Sequence, residues 1–179
     1  NPRADTDALR RRFRAAEELG ALAIGIDIDA IQFKTMEIQK QSAVARGFEA
    51  LAALRESTHL PFILKGIVSP ADAESAIAAG VDAIVVSNHG GRVLDEMPGT
   101  ARVLPAISEA VRGRIPVLVD GGIRSGHDVF KMHALGADAV LLGRPLAIAA
   151  VGGELPAVKF VLSKYADELR RAMNLCGTA

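Results

Sequence analysis

The stretch Gly80-Val-Asp-Ala-Ile-Val-Val86 decides the fold of this chain, because it closes one helix and begins one buried strand. Glycine often ends a helix, since it adopts the left-handed conformation without a side-chain clash. The apolar run behind it is typical of a strand that is covered on both faces in a parallel sheet. Related stretches occur at Gly20 to Ile26 and at Gly136 to Leu142. The repeat therefore predicts strands that each follow a helix.

Two further strands are introduced by proline, at Pro61 to Lys65 and at Pro116 to Asp120, where the missing amide suits the first residue of a strand. Helical patterns lie between the five strands, and a longer one follows the last strand. This alternation predicts parallel strands with right-handed crossovers, in a doubly wound sheet or a barrel. We expect the helices at about residues 5–19, 43–56, 70–79, 100–112, 126–135 and 155–175.

Polar residues at the ends of the strands favour the barrel over the doubly wound sheet. Chemistry in a barrel takes place at the carboxyl ends of several strands, and five strands here end in such residues, Asp27, Lys65, His89, Asp120 and Arg144. A complete (β/α)8 TIM barrel has eight strands and usually about 250 residues. We therefore expect residues 1–179 to form a single domain that supplies the last five βα units of such a barrel, with the N-terminal strands absent.

Composition excludes several classes of protein. The 179 residues are 50% hydrophobic, and 21 basic side chains balance 21 acidic ones, so nothing favours a nucleic-acid partner. The single cysteine, Cys176, allows neither an intrachain disulfide nor a cysteine metal cluster, and histidines and acids show no metal-ligand spacing. No run approaches the roughly 20 apolar residues of a membrane span. We expect a soluble, cytoplasmic protein without a metal.

The run Ser87-Asn-His-Gly-Gly-Arg92 places a base and a fixed cation on the loop after the strand that ends at Val86. His89 can take a proton near neutral pH, and Arg92 can bind a carboxylate through two parallel hydrogen bonds. The glycines between them allow a flat ligand to approach the backbone closely. This combination indicates oxidation of a small hydroxy acid. The alternative is a simple turn with a solvated histidine.

Two glycine-rich loops, Asp120-Gly-Gly-Ile-Arg-Ser-Gly126 and Gly143-Arg-Pro145, follow consecutive strands. Loops after the last two strands of a barrel commonly bind phosphate through backbone amides and the N-terminus of a short helix. Arg124 and Arg144 would add positive charge. The loops predict a phosphate-bearing cofactor, and the alternative is a pair of ordinary glycine turns with exposed arginines.

Lys65 and Asp27 end two of the buried strands, where a charge needs a partner or an open cleft. Lys65 could stabilise negative charge on a cofactor, or it could pair with Asp27 or Asp29. Asp27 could orient a histidine and support its protonated form. Asp29 shares the same loop, and spacing alone does not exclude it from that role.

With these motifs assembled, the chain resembles the FMN-dependent α-hydroxy-acid oxidase and dehydrogenase family over about residues 18–150. The resemblance implies FMN as the cofactor and His89 as the base, hydrogen-bonded by Asp27, while Arg92 holds the substrate carboxylate. It also implies that Lys65 faces the flavin pyrimidine edge and that Ser87 contacts the ring. The ribityl chain and phosphate would be held by Asp120, Gly121, Gly122, Arg124, Gly143 and Arg144.

The implied reaction is oxidation of a small L-2-hydroxy acid to the 2-oxo acid, with electrons passing to flavin N5 and then to an external acceptor that the sequence does not identify. We also expect a homo-oligomer. The family usually carries a second substrate arginine where this chain offers Lys34, and a threonine where it has Gly25. The alternatives are an FMN- or phosphate-binding barrel of another class, such as an isomerase or a nucleotide-processing enzyme, and a catalytically inert flavin-binding half-barrel.

Overall fold

The structure, a computed structural model, describes residues 5–31, 38 and 44–178. Helices and strands alternate along these residues. The strands are β1 (Ile24–Asp27), β2 (Phe62–Ile67), β3 (Ala83–Val86), β4 (Val117–Val119) and β5 (Ala139–Val140). The helices are α1 (Thr6–Glu18), α2 (Phe48–Arg55), α3 (Pro70–Ala78), α4 (Thr100–Val111), α5 (Gly126–Ala134) and α6 (Arg144–Cys176), with a 3₁₀ turn at His89–Gly91.

The strands form one parallel sheet in the order β1-β2-β3-β4-β5, so each strand pairs with the next one along the chain. A doubly wound sheet would reverse its strand order at a switch point, and these strands show no reversal. The order is that of consecutive βα units in a barrel. All carboxyl ends lie at one rim, which brings the polar residues after each strand to the same side.

The repeated Gly-x-Asp-Ala stretch has a structural role that explains its aspartates. Asp82 Oδ2 accepts a hydrogen bond of 2.7 Å from the Phe62 amide, and Asp138 Oδ2 accepts one of 2.7 Å from the Val117 amide. Each aspartate thus holds the first amide of the neighbouring strand, directly after its proline. In the first copy of the repeat the same position is Leu22, whose exposure is 91%. The aspartates fix the alignment of β2 with β3 and of β4 with β5.

The core lies between the sheet and the helices that cover it. All residues of β3 are buried, as expected for a strand that is covered on both faces, whereas Ile63 and Lys65 of β2 are only partly buried. Phe13 of α1 packs edge-on against Phe62 at a centroid distance of 5.9 Å. The fully buried large side chains are Leu51, Leu54, Phe62, Leu64, Ile67, Ile84, Val86, Leu104, Ile107, Val111 and Val119.

Two helix boundaries differ from the sequence expectation. Helix α2 begins at Phe48, after non-helical residues 44–47, whereas the pattern predicted a start near residue 43. Helix α6 begins at Arg144 and not near residue 155, because Pro145 is well suited to a first helical turn and an apolar run follows it. Helix α6 has a kink, with non-helical angles at Gly153 and Glu154.

Among the described residues, α6 is the one helix long and apolar enough to cross a membrane by length and composition. The kink at Gly153 and Glu154 divides it into a short apolar piece and a longer piece that carries Lys159, Lys164 and further charges. The membrane-length apolar stretch therefore exists only when the two pieces are joined across the break. Helix α6 also packs closely on α5, since a Cβ at Gly126 would overlap the backbone of Tyr165 and Leu169.

Candidate active site

The loop after β3 turns sharply at His89. Ser87 is fully buried, and the Asn88 side chain accepts a hydrogen bond of 3.0 Å from the Gly90 amide. His89 has a φ of +50° and Gly90 a φ of +67°, so the chain makes a left-handed turn at both positions. Only 7% of the His89 side chain is exposed. The turn directs the imidazole over the ends of β1 and β2.

The His89 imidazole contacts three charged side chains, which come from β1, from the loop after β1 and from β2. Its Nδ1 lies 2.7 Å from Asp29 Oδ2, and its Nε2 lies 3.1 Å from Asp27 Oδ1. The Lys65 Nζ atom lies 2.9 Å from the same Nε2. The ring is therefore held between two carboxylates and one ammonium group.

The two carboxylates set the protonation of the ring. Burial lowers the pKa of His89, but hydrogen bonds with Asp27 and Asp29 and the charge of Asp29 outweigh it and raise the pKa to about 9. The ammonium of Lys65 opposes this rise. The hydrogen bond from His89, in turn, is the main cause that holds the pKa of Asp27 below its ordinary value. The arrangement stabilises the imidazolium.

Lys65 both pairs with carboxylates, as one of the two expectations had it, and lines a cavity. Its Nζ donates to Ser87 Oγ at 2.9 Å and lies 3.2 Å from Asp120 Oδ2 and 3.7 Å from Asp27 Oδ1. Lys65 also lines a cavity of about 480 Å³ together with His89, Arg92 and Asp120. A cation therefore stands at the cavity wall within reach of a bound ligand.

The same cavity is lined by both glycine-rich loops, including Gly121, Gly122, Arg124, Gly143 and Arg144. A Cβ added at Gly122 or Gly143 would meet no atom within 4 Å among the described residues, so these glycines leave open space beside the backbone. Asp120 Oδ1 is buried, and no described residue offers it a hydrogen bond. A sugar hydroxyl is the kind of group that would satisfy it. The residues present thus fit the ribityl and phosphate parts of FMN.

Some backbone amides at the start of α5 already donate to side chains and are not available to a phosphate. Fewer amides could therefore bind phosphate than the sequence predicted. The Arg124 amide donates to Asp128 Oδ2 at 3.0 Å, and the Gly126 amide donates to Glu168 Oε2 at 2.8 Å. Ser125 caps the helix by accepting from the Asp128 amide. A phosphate at this rim would depend on the open glycines and on the arginine side chains.

The sequence predicted two substrate-binding residues, Arg92 and Lys34. Arg92 is exposed, lines the same cavity as His89, and donates from Nε to the His89 carbonyl at 3.0 Å. Its guanidinium is thus anchored beside His89. Lys34 lies outside the described residues.

Sequence reasoning gave too little weight to Asp29. Its side chain is 12% exposed and makes the shorter of the two carboxylate contacts to His89. A signal for it was present, since residues two apart on an extended chain share a side, and Asp27 and Asp29 are so spaced. Thr100 was also missed: its hydroxyl donates to the Asp120 carbonyl at 2.6 Å and so braces the loop after β4.

Known proteins with similar sequences include oxidases and dehydrogenases of 2-hydroxy acids. The peroxisomal (S)-2-hydroxyacid oxidase of Arabidopsis thaliana is 47% identical over 143 residues, which are 76% of this chain and 39% of that protein. The L-lactate dehydrogenase of Xanthomonas campestris pv. campestris is 51% identical over 125 residues, which are 70% of this chain and 32% of that protein. The chain thus spans between 32% and 39% of the length of these curated relatives.

Solved structures of mandelate oxidase are similar in fold. A variant with 4-Br-2-hydroxy-methylphenylacetate superposes with a TM-score of 0.90 at 38% identity, over 98% of this chain and 58% of that one. Another variant, with a monooxide FMN adduct, gives a TM-score of 0.90 at 40% identity, over 98% of this chain and 57% of that one. These matches confirm the expected TIM-barrel segment.

A sequence model of one family, the FMN-dependent dehydrogenases, matches residues 6–179. The match covers both glycine-rich loops and the histidine loop, which form the cavity described above. FMN is the cofactor of this family. The chain belongs to the FMN-dependent dehydrogenase family.

Proposed function

We propose that the protein oxidises a small L-2-hydroxy acid to the 2-oxo acid with FMN as its electron acceptor. The observation that carries the proposal is the position of His89, a buried base that contacts Asp27 and Lys65 in a cavity lined by Arg92. Loss of two protons and two electrons from a hydroxy carboxylate needs a base for one proton, a guanidinium that binds the carboxylate and an ammonium that stabilises charge on the electron acceptor.

In the proposed reaction the hydroxy acid loses two electrons and two protons. Arg92 binds the substrate carboxylate through its guanidinium, which is held by the His89 carbonyl. His89 in its neutral form takes one proton, and Asp27 and Asp29, whose contacts raise the pKa of the ring to about 9, stabilise the imidazolium that forms. The second proton and the two electrons would pass to the acceptor that FMN supplies when bound. Lys34, where the family usually has a second arginine, is proposed as a point charge for the same carboxylate.

The described residues that would hold FMN come from three strand ends. Lys65 would face the pyrimidine edge, and Ser87, which Lys65 contacts, would touch the ring. Arg124 and Arg144 would neutralise the phosphate, and Asp120 would accept from the ribityl chain beside Gly121, Gly122 and Gly143. When bound, FMN supplies a two-electron acceptor whose reduced form carries negative charge. The Lys65 ammonium would stabilise that charge.

The substrate is proposed as a class, defined by the 2-hydroxy carboxylate. The relatives named above are an (S)-2-hydroxyacid oxidase, an L-lactate dehydrogenase and a mandelate oxidase. Lactate and mandelate share that group and differ in the side group on the α-carbon. Arg92 and His89 would contact the shared 2-hydroxy carboxylate, which supports the substrate class and no single acid.

We further propose that residues 1–179 form one domain, the C-terminal part of the FMN barrel, in a cytoplasmic homo-oligomer. The two outer strands, β1 and β5, each have one strand partner among the described residues, which leaves room for further barrel strands. Val151 and Ile148 on α6 are exposed apolar side chains, as expected of a surface that another element or subunit covers. The lone Cys176 suits a reducing compartment.

The test is an anaerobic visible spectrum of the FMN-loaded full-length protein, before and after addition of a panel of L-2-hydroxy acids. The proposal predicts that at least one acid bleaches the oxidised flavin band and yields its 2-oxo acid. A flavin band that no acid bleaches would contradict it. Turnover of a substrate without net oxidation would instead support an isomerase.

A further inference from the structure

We propose that Asp29 is a positioning residue for the reaction, which holds a proton on His89 Nδ1 and thereby makes Nε2 the nitrogen that accepts the substrate proton. The inference rests on the proposed function, and it assigns a distinct role to a second carboxylate beside Asp27.

The two nitrogens of His89 face different kinds of group. An ionised carboxylate only accepts hydrogen bonds, so the 2.7 Å contact with Asp29 requires a hydrogen on Nδ1. At Nε2 the neighbours are mixed: Asp27 Oδ1 at 3.1 Å accepts, and Lys65 Nζ at 2.9 Å donates. Asp27 therefore stabilises Nε2 when it is protonated, and Lys65 stabilises it when it is not. Nε2 is the nitrogen equipped for both protonation states.

The negative charge of Asp29 is directed at the imidazole. Among the described residues, its one ion pair is with His89, whereas Asp27 also lies 3.7 Å from the Lys65 ammonium. The second oxygen, Asp29 Oδ1, is buried, and no described residue offers it a hydrogen bond. A buried carboxylate with so few partners holds its remaining hydrogen bond tightly.

The backbone of β2 makes room for this carboxylate. Gly66 has a φ of +105° and lies where the register between β2 and β3 shifts, between Lys65 and Ile67. A Cβ at Gly66 would overlap the Asp29 carboxylate group. Glycine at this position thus allows Asp29 to lie beside the ring, and the same bend places Lys65 at the cavity wall.

Charged groups surround His89 from several elements, and Asp27, Asp29 and Lys65 set its protonation. Asp27 comes from β1, Asp29 from the loop after β1, and Lys65 from β2. Asp120 after β4 acts through its ion pair with Lys65, and Arg92 belongs to the histidine loop itself. The Arg144 guanidinium from the start of α6 lies beside Gly90. A test of Asp29 must therefore leave the other charges unchanged.

The first test measures the pKa of His89 without any turnover. Exchange of the histidine C2 hydrogen for deuterium, followed by mass spectrometry over a pH series, reports each histidine separately in the FMN-loaded full-length protein. We expect Asp29→Asn to lower the His89 pKa by at least about one unit, because a neighbouring negative charge is lost. The matched control is Glu96→Gln, which removes an exposed carboxylate from the same loop as His89 and should leave the pKa unchanged. An unchanged His89 pKa in Asp29→Asn would overturn the proposal.

The second test measures flavin reduction by stopped flow across the same pH range. An Asn amide can donate to Nδ1 and favour the wrong tautomer, so we expect the limiting rate to fall by roughly 100-fold or more, with little change in the substrate concentration at half saturation. A role in folding alone would lower the FMN content and leave the pKa of the active fraction unchanged. Asp29→Ala, which leaves no donor, checks the tautomer argument and should keep more activity than Asp29→Asn.

The two tests separate the two hypotheses. If the wild type is not reduced by any 2-hydroxy acid, the proposed function fails, while the pKa comparison still reports the coupling between Asp29 and His89. If the wild type is reduced and Asp29→Asn matches it in rate and in pH profile, the proposed function stands and the role of Asp29 is wrong.

Discussion

Asp27 and Lys65 are direct partners in the parallel ladder between β1 and β2, and their charged ends lie 3.7 Å apart. Both side chains also reach His89 Nε2, at 3.1 Å and 2.9 Å. The pairing of two strands thus builds a site in which one neighbour favours the protonated base and the other opposes it. The protonation of His89 depends on these two neighbours together with Asp29.

Replacing Lys65 should slow the reaction and raise the pKa of the base. In Lys65→Met the cavity loses its cation, and we expect flavin reduction to slow by roughly 100-fold, as for loss of one preorganised charge-stabilising group. The pKa of His89 should rise further, because the opposing charge is gone. Stopped-flow reduction over a pH series measures both effects. Lys159→Met, at an exposed position, should change neither.

The pKa of His89 predicts a pH dependence of stability. The folded pKa of about 9 lies above the ordinary 6.5, so the imidazolium stabilises the fold fully below about pH 6.5. Above that pH the unfolded chain releases its proton first, and the contribution is lost as the pH rises to about 9. The loss should be on the order of 3 kcal/mol in the free energy of unfolding. Urea unfolding at pH 6 and pH 9.5 measures it, and His89→Gln should remove most of the difference.

Arg144 is predicted to bind the cofactor through the phosphate group. Arg144→Met should weaken FMN binding by at least about tenfold, the usual effect of losing one hydrogen bond to a charged group. Riboflavin lacks the phosphate, so its weaker binding should not change. Fluorescence titration of the apoprotein with both flavins measures the difference. An equal loss for FMN and riboflavin would show that the substitution acts on the fold of the cavity and not on the phosphate.

Gly66 is predicted to act through Asp29. Gly66→Ala would place a methyl group against the Asp29 carboxylate and should lower the His89 pKa in the same direction as Asp29→Asn. Both Gly66 and Gly80 have a positive φ, but a Cβ at Gly80 meets no described atom within 4 Å. Gly80→Ala is therefore the control, because it places a side chain at a positive φ but displaces no carboxylate. Exchange measurements on the two variants should differ at His89.

Much of the fold was predictable because short sequence patterns determine where its helices end and its strands begin. The glycine before Val81 and the apolar run to Val86 predict a helix end and a buried strand, and both are present. The polar residues after each strand meet at one rim because parallel strands share a direction. Asp27, Lys65, His89 and Asp120 could therefore be grouped before their contacts were known.

The remaining features depend on contacts between residues far apart in sequence. Asp29 and His89 are separated by 60 residues, and the choice between Asp27 and Asp29 for each ring nitrogen depends on the turn at His89 and on the bend at Gly66. The hydrogen bond from the Gly126 amide to Glu168, which lies on another helix, also cannot be predicted from local patterns. The early start of α6 could have been found, since Pro145 is a common first-turn residue.

The most direct test of the central claim compares the wild type with His89→Ala in single-turnover reduction by an L-2-hydroxy acid, using the FMN-loaded full-length protein under anaerobic conditions. The account predicts that His89→Ala retains the oxidised flavin spectrum but that its reduction slows by at least about 1,000-fold, since the base is lost while the cofactor residues remain. Reduction of His89→Ala at a rate similar to that of the wild type would show that this histidine is not the base.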